Sequence, residues 1–351
     1  MGSMKELRLP AGLSARERGR VHGETFRDDI RALAEIRTGL IATAWCQEGA
    51  EKVRERAEEH LPLLREYDGD LYDEFAGIAE GANLTEADLL ILNHYTDLRD
   101  LGLATEALEE GCTILHARYD DEVLIGQTWD MHATAGPYVM MMYLPDEGVW
   151  VQTVTGCLGL CGMNRDGVAV AINNLVMGDA RIGVSWPTLV RRMLRDRSVL
   201  LAEETLVKTR VGSGHHYLLS DRELSVAWEI SGSRSAVTFH GDRGVYVHAN
   251  HCLDPKMGEI SQISPASTTA HRQDQAEGLL GFNPRPSAQE LWDMLGCRVN
   301  FPYSLFTDRR TPDNIHGVAT CAKVLMDCKR SQIWARSGFE EDQTPRLYDF
   351  N

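Results

Sequence analysis

The 351-residue sequence contains no run approaching the roughly 20 apolar residues that a membrane-spanning helix needs. It opens on Met1-Gly2-Ser3-Met4 with no apolar signal core behind it, so a cytoplasmic protein is the expectation. Basic charge is scarce: 36 Lys and Arg stand against 52 Asp and Glu, a net charge of −16, and no polybasic stripe interrupts it. Nucleic acid and anionic membrane are therefore excluded as expected partners. Cysteine is thin as well. Eight residues spread along a chain this long make no disulfide framework, and most should be reduced and buried. The close pair Cys157 and Cys161 brackets Leu158-Gly159-Leu160, which reads as a buried strand or turn with no matching His/Cys pair nearby, so neither a metal site nor a cofactor is expected. No internal repeat or low-complexity linker is visible.

What is present is ordinary globular material, 43% hydrophobic and 25% charged. The first third has helical periodicity. Ser14 caps a run to about Ala44, with Glu17 placed for a capping box and Val21, Phe26, Ile30, Leu33, Ile36 and Leu40 forming an apolar stripe. Further helices are predicted over about 51–67 and 71–80, and from Thr85 onward. At Cys112 the period changes. Short strands separated by turn signals are predicted from Thr113 to Asn173, then two helices, four more strands between Gly214 and Asn250, two helices over 265–281 and 287–295, and a last hairpin of 318–327 with 332–337. Hairpin connections make the sheets antiparallel. Strands and helices grouped in this way predict an α+β fold with two sheets between helical layers, an αββα sandwich preceded by a helical segment of residues 1–111 and built from residues 112–351.

The strongest boundary, Glu109-Glu110-Gly111-Cys112-Thr113, places a Gly-Cys pair at the head of an apolar strand. A buried cysteine is ordinarily a small hydrophobe. As a nucleophile it needs a base, and no papain-like or caspase-like surroundings supply one. Cleavage of the Gly111–Cys112 bond would solve this, because the freed α-amine, with a reference pKa near 8, could take the thiol proton. Gly111 suits the turn that an attack on its own carbonyl requires.

Four ordered motifs carry a resemblance: Gly111-Cys112-Thr113, Gly126-Gln127-Thr128-Trp129-Asp130, Asn164-Arg165-Asp166-Gly167-Val168-Ala169-Val170, and Val247-His248-Ala249-Asn250-His251-Cys252. Together they resemble peptidase family C45, the acyl-CoA:6-aminopenicillanic acid acyltransferase family of self-cleaving N-terminal-nucleophile hydrolases, over nearly the whole chain. The resemblance implies a four-layer N-terminal-nucleophile hydrolase sandwich and cleavage before Cys112 into an α and a β subunit. It implies Cys112 as nucleophile, Asp130 as the aspartate that positions the freed amine and assists cleavage, and Asn250 as an oxyanion donor. Asn173 matches a further asparagine near the nucleophile. Trp129, Met131 and His132 flank Asp130 as candidates to line an acyl pocket, with core packing as the alternative. Two positions depart from the family pattern. Ile114 replaces a polar residue, and the arginine of a Ser-Arg pair is missing from His316-Gly317-Val318-Ala319-Thr320, where Arg309, Arg310 or His316 are the candidates to supply its charge.

The function expected is a self-processing amidohydrolase that cleaves a small N-acyl amide through a Cys112 thioester, with no cofactor and with its own cleaved N-terminal fragment as partner. Acyl transfer from a CoA thioester or amide to an amine is the alternative within the family, although no basic cluster marks a phosphate site. A non-cleaving binding protein of the same fold is the alternative outside it.

Overall fold

The structure is a computed structural model that describes residues 3–44, 49–102 and 111–350. Among the described residues before Gly111 are one short strand, β1 (Lys5–Arg8), and seven helices: α1 (Ala15–Thr25), α2 (Arg27–Ala44), α3 (Gly49–Glu58), α4 (Leu61–Tyr67), α5 (Gly69–Ala82), α6 (Glu86–Asn93) and α7 (Tyr95–Leu101). The capping box at Ser14 and Glu17 forms as predicted, and Thr85 caps α6. The long first helix is in fact two. The chain leaves helical geometry at Phe26 (φ −120°, ψ 28°), which turns α2 away from α1. The predicted 51–67 helix also divides, because Pro62 can stand only in the first turn of a helix and so begins α4.

Glycine sets the closest helix contact. A Cβ at Gly19 of α1 would lie 1.9 Å from the Glu74 carbonyl oxygen, and one at Gly77 of α5 would lie 2.2 Å from that of Arg16. The two backbones touch through the glycine faces of both helices, and any side chain there would hold them apart.

From Gly111 onward come β2 (Gly111–Tyr119), β3 (Glu122–His132), β4 (Val139–Leu144), β5 (Val149–Val154), β6 (Cys161–Asn164) and β7 (Ala169–Leu175), followed by α8 (Trp186–Met193) and α9 (Val199–Lys208). Next are β8 (Gly214–Ser220), β9 (Ser225–Ile230), β10 (Ser235–Gly241) and β11 (Gly244–His248), then α10 (Pro255–Gly258), α11 (Thr269–Phe282) and α12 (Ala288–Leu295). The chain closes with β12 (Val318–Asp327), β13 (Gln332–Ser337) and β14 (Arg346–Tyr348). One sheet runs β1-β4-β5-β6-β7-β8-β9-β10 and the other β11-β2-β3-β12-β13-β14. Among the described strands, every pairing is antiparallel except β1 with β4, which is parallel. With one leucine in four residues, β1 shows no alternation by which the sequence could reveal it.

The sheets face each other across β2, β3 and β7; α11 and α12 cover the outer face of the six-stranded sheet and α9 lies on the eight-stranded one. This is the expected αββα layering. Alternation along β3 sets the two faces: Leu124 and Gly126 point to α12, where a Cβ on Gly126 would lie 2.8 Å from Leu295. Gln127 points between the sheets and holds the main chain of Ile172 at 2.8 and 3.3 Å, a tie beside the start of β2. The main hydrophobic core includes residues from both sides of Cys112, among them Ile30, Leu92, Met141 and Val170. No helix among the described residues is long and apolar enough to cross a membrane.

Candidate active site

Cys112 sits at the second position of β2, opposite Trp129 in β3, with Gly111 opposite Asp130. It is 7% exposed, and its main-chain groups are held by side chains from three other elements. The Cys112 N–H donates to Asn250 Oδ1 at 2.7 Å, from the loop after β11. Its carbonyl accepts from Asn173 Nδ2 of β7 at 3.0 Å and from Arg272 Nη1 of α11 at 2.8 Å. Arg272 also donates to Thr113 Oγ1 and to Asn250 Oδ1, each at 2.8 Å, and is itself buried. A guanidinium with fixed donor directions thus braces both the strand carrying Cys112 and the residue holding the Cys112 nitrogen.

Arg272 was not among the arginines considered from the sequence. Arg310 instead pairs with Asp308 and lies on the Phe339 ring, and His316 bonds Thr134. The sequence signal was there, an arginine at a position of α11 that helical periodicity turns toward the sheet, but nothing local separates such a residue from a buried structural one.

Asp130 is fully buried beside Gly111. Its Oδ1 accepts from Thr320 Oγ1 at 2.7 Å, and Thr320 in turn accepts from Thr307 N–H at 3.0 Å. Burial pushes its carboxyl up from 3.8 to about 6, although the Arg272 charge, the Thr320 bond and the Arg309 charge oppose the shift. A Cβ at position 111 would stand 3.0 Å from Arg272 Nη2 and 3.1 Å from Asp130 Oδ2, so the glycine is where those two charged groups converge.

Asn250 is placed differently from the oxyanion donor expected of it. Its oxygen faces Cys112 N, and its Nδ2 already donates to the Asn174 carbonyl at 2.9 Å. The Arg272 and Cys112 donors fix that orientation of the amide. Asn174, which the sequence reading passed over, lines the cavity beside Cys112, and its side-chain oxygen has no hydrogen-bond partner among the described residues. The cavity measures about 30 Å³ and is walled by Trp129, Met131, Ile172 and Trp186, with Thr96 of α7 and His215 of β8 at its edge. Trp129 and Met131 thus line the cavity beside Cys112. His132 does not: it bonds Thr134 at 2.8 Å and packs edge-on against Tyr95, because the next residue along a strand points to the other face.

Asn173 is oriented by a buried relay. His216 Nδ1 lies 2.7 Å from Asn173 Oδ1, and its Nε2 lies 3.1 Å from the Tyr246 hydroxyl. Burial and the neighbouring His248 keep His216 well below the usual histidine range, so it is neutral. With Tyr246 donating to Nε2, Nδ1–H donates to Asn173 and leaves the asparagine NH2 for Cys112. His248 stacks flat on His216 at 3.7 Å and bonds Glu229 at 2.9 Å. Glu229 also receives the backbone N–H groups of Leu253 and Asp254, which anchors the loop carrying Asn250.

Comparison with known proteins follows the same lines. The sequence profile described as acyl-coenzyme A:6-aminopenicillanic acid acyl-transferase matches residues 117–341. The 40 kDa form of acyl-coenzyme A:6-aminopenicillanic-acid-acyltransferase from Emericella nidulans is 26% identical over 312 residues, spanning 82% of this chain and 81% of that protein. Among solved structures, penicillin V acylase from Agrobacterium tumefaciens aligns with a TM-score of 0.42 at 16% identity, covering 67% of this chain and 84% of that one. A conjugated bile acid hydrolase variant from Clostridium perfringens aligns with a TM-score of 0.44 at 13% identity, covering 68% and 92%. The profile spans well over half of the sequence, and the chain belongs to the acyl-coenzyme A:6-aminopenicillanic acid acyl-transferase family.

Proposed function

We propose that the protein is a self-processing cysteine N-terminal-nucleophile enzyme that hydrolyses a small N-acyl amide. The observation that carries this reading is the capture of the Cys112 main-chain nitrogen by Asn250 Oδ1 at 2.7 Å, with Asp130 beside Gly111. The β11 ladder ends opposite Ile114, so the buried Cys112 N–H takes its acceptor from a side chain, and that same acceptor stands ready to orient the amine that cleavage would free.

In processing, the Cys112 thiol attacks the Gly111 carbonyl and its proton passes through Asp130 to the Cys112 nitrogen as the amide bond breaks. Water then hydrolyses the Gly111 thioester, leaving a Gly111 carboxylate and a Cys112 amine. Residues 1–111 and 112–351 become two subunits held together by their shared core. In catalysis the amine, held by Asn250, takes the thiol proton, and the thiolate attacks the substrate carbonyl. Asn250 is thus assigned to orienting the amine, and Asn174 to the oxyanion, its amide turned to present NH2 to the cavity. Arg272 and Asn173 hold the Cys112 carbonyl and so the strand geometry. The leaving amine takes its proton from the Cys112 ammonium, and water releases the acid from the thioester. No step calls for a metal or organic cofactor. Family membership equally supports a second acceptor, an amine taking the acyl group in place of water.

The test is intact mass of the purified protein together with a screen of N-acyl amines and acyl-CoA thioesters. Wild type should part between Gly111 and Cys112, and Cys112→Ala should stay whole and inactive. A Cys112→Ala chain that still splits, or a wild-type chain that remains intact and inert, would sink the reading. Acyl transfer to added amine at the expense of hydrolysis would move it to the transferase alternative.

A further inference from the structure

Behind the six-stranded sheet, away from Cys112, a second cavity of about 550 Å³ opens between α12, β12 and residues 341–345. That volume is within the range of small-molecule sites. Its floor is Lys323, a residue only 2% exposed. The Lys323 Nζ lies 4.2 Å from the centre of the Trp292 ring and 5.8 Å from that of Phe306, and the Arg298 guanidinium covers Phe306 at 4.3 Å. No carboxylate or carbonyl among the described residues makes a hydrogen bond or ion pair with either cation. A lysine ammonium carries three donors and is normally paired when buried; Asp293 acts on Lys323, and Asp308 on Arg298, only through space, so the Lys323 donors are left without a hydrogen-bonded anion and describe a site that can take one.

The rim limits what that anion can be. Asp293, Glu341 and Asp342 surround the opening. Asp342 is engaged by Arg336 at 3.0 Å and Asp293 by Gln289 at 2.9 Å, so they remain as fixed negative charge around the mouth. A dianion or polyphosphate would meet repulsion at the rim, whereas a single carboxylate with an apolar body satisfies Lys323 and presents planar surface to Trp292 and Phe306.

We propose that this cavity binds a small aromatic carboxylate, with its charge on Lys323 and Arg298 and its body between Trp292 and Phe306. The site is independent of the catalytic reading. It nonetheless adjoins the active site's support, since Phe306 precedes Thr307, whose N–H holds the Thr320 hydroxyl that bonds Asp130.

Burial pushes the Lys323 amine down to about 8, so it is open to selective reductive methylation near neutral pH. The experiment measures methylation of Lys323 by peptide mapping of full-length Cys112→Ala protein, with benzoate, acetate or inorganic phosphate present. A dissociation constant of roughly 1 mM would slow Lys323 labelling about tenfold at about 10 mM benzoate. Acetate and phosphate should protect far less, and Arg298→Gln, at an exposed position, should weaken the benzoate effect without disturbing the fold. Calorimetric binding of benzoate should disappear in Lys323→Met. Labelling that ignores benzoate, protection by phosphate as strong as by benzoate, or a Lys323 that never labels would each overturn the proposal. Because Cys112 is absent throughout, a failure here leaves the catalytic reading untouched, and a failure of that reading leaves this one standing.

Discussion

At Asp130, burial raises the folded-state pKa to about 6 from an ordinary 3.8, so ionising the carboxyl costs stability. The sign follows from linkage: the folded chain binds the proton more tightly than the unfolded one, so this residue's contribution is most favourable below pH 3.8 and is lost as pH rises to about 6. The loss comes to roughly 3 kcal/mol for a shift of about two units. In a Cys112→Ala background, Asp130→Asn should therefore gain on its parent in urea unfolding as pH rises from about 4 to 7. In the chain with Cys112 present, the same substitution should block processing, and wild-type processing should slow as pH falls below about 6, read by the fraction cleaved over time.

The Arg272 charge is the strongest of the influences opposing that shift, so Arg272→Gln should move the pH midpoint of processing upward as well as slow it. A loss of roughly 100-fold is expected for removing a buried charge-assisted donor set at a reacting centre. Gln retains one short donor, whereas Lys retains the charge without the fork. A partial recovery of the midpoint but not of the rate in Arg272→Lys would separate charge from geometry. Cys112, Asp130 and Asn250 were legible as candidates because each stands in a motif with distinctive neighbours, and Asn173 only through the resemblance; the structure brings Asn173 and Asn250 onto the Cys112 main chain. Arg272 and Asn174 were not legible, since one sits in an unremarkable helix and the other is merely the residue after Asn173. Only the approach of α11 and β7 to the head of β2 distinguishes them.

Among the elements, the α1 and α5 crossing depends on having nothing at its contact. Gly77→Ala would drive a Cβ to 2.2 Å from the Arg16 carbonyl and should cost about 1–3 kcal/mol or more through overpacking. Gly39 of α2 has no atom within 4 Å of an added Cβ, so Gly39→Ala should stabilise by about 0.5–1 kcal/mol. Thermal unfolding of both variants in one buffer makes the comparison. A destabilised Gly39→Ala would show that helix propensity does not govern α2. Strands with strong alternation or hairpin turns were legible almost to the residue, as β8, β12 and β13 show. The break at Phe26 was harder to see, because a continuous apolar stripe runs across it and only packing against other helices reveals that the axis turns, whereas Pro62 marks the break after α3 in the sequence itself.

Over the whole molecule, the segment before Cys112 is bound to the rest by more than apolar contact. Arg18 of α1 and Glu74 of α5 meet Arg191 of α8 and Glu147 in the β4–β5 turn, with Arg191 to Glu74 and to Glu147 both at 2.9 Å and Arg18 to Glu147 at 3.1 Å. Burial disfavours the Glu147 charge, yet Arg191 and Arg195 hold its carboxyl down at about 2. Removing one member of such a buried cluster strands the others, so Arg191→Met should cost about 3–5 kcal/mol. Cleaved wild-type protein should elute as one particle on native size exclusion and separate only in denaturant. Fragments that part without denaturant would contradict the clamp.

The sequence by itself determined most of the elements and their antiparallel pairing, β1 and the break at Phe26 aside, and marked the change of period at Gly111-Cys112, because hydrophobic period and turn residues are local properties of the chain. Tertiary structure alone decided which side chains hold Cys112, which arginines meet Glu74 and Glu147, and where the second cavity lies. Those depend on residues up to 160 positions apart, as Arg272 is from Cys112. Their partners are chosen by how layers pack, and no local pattern records that.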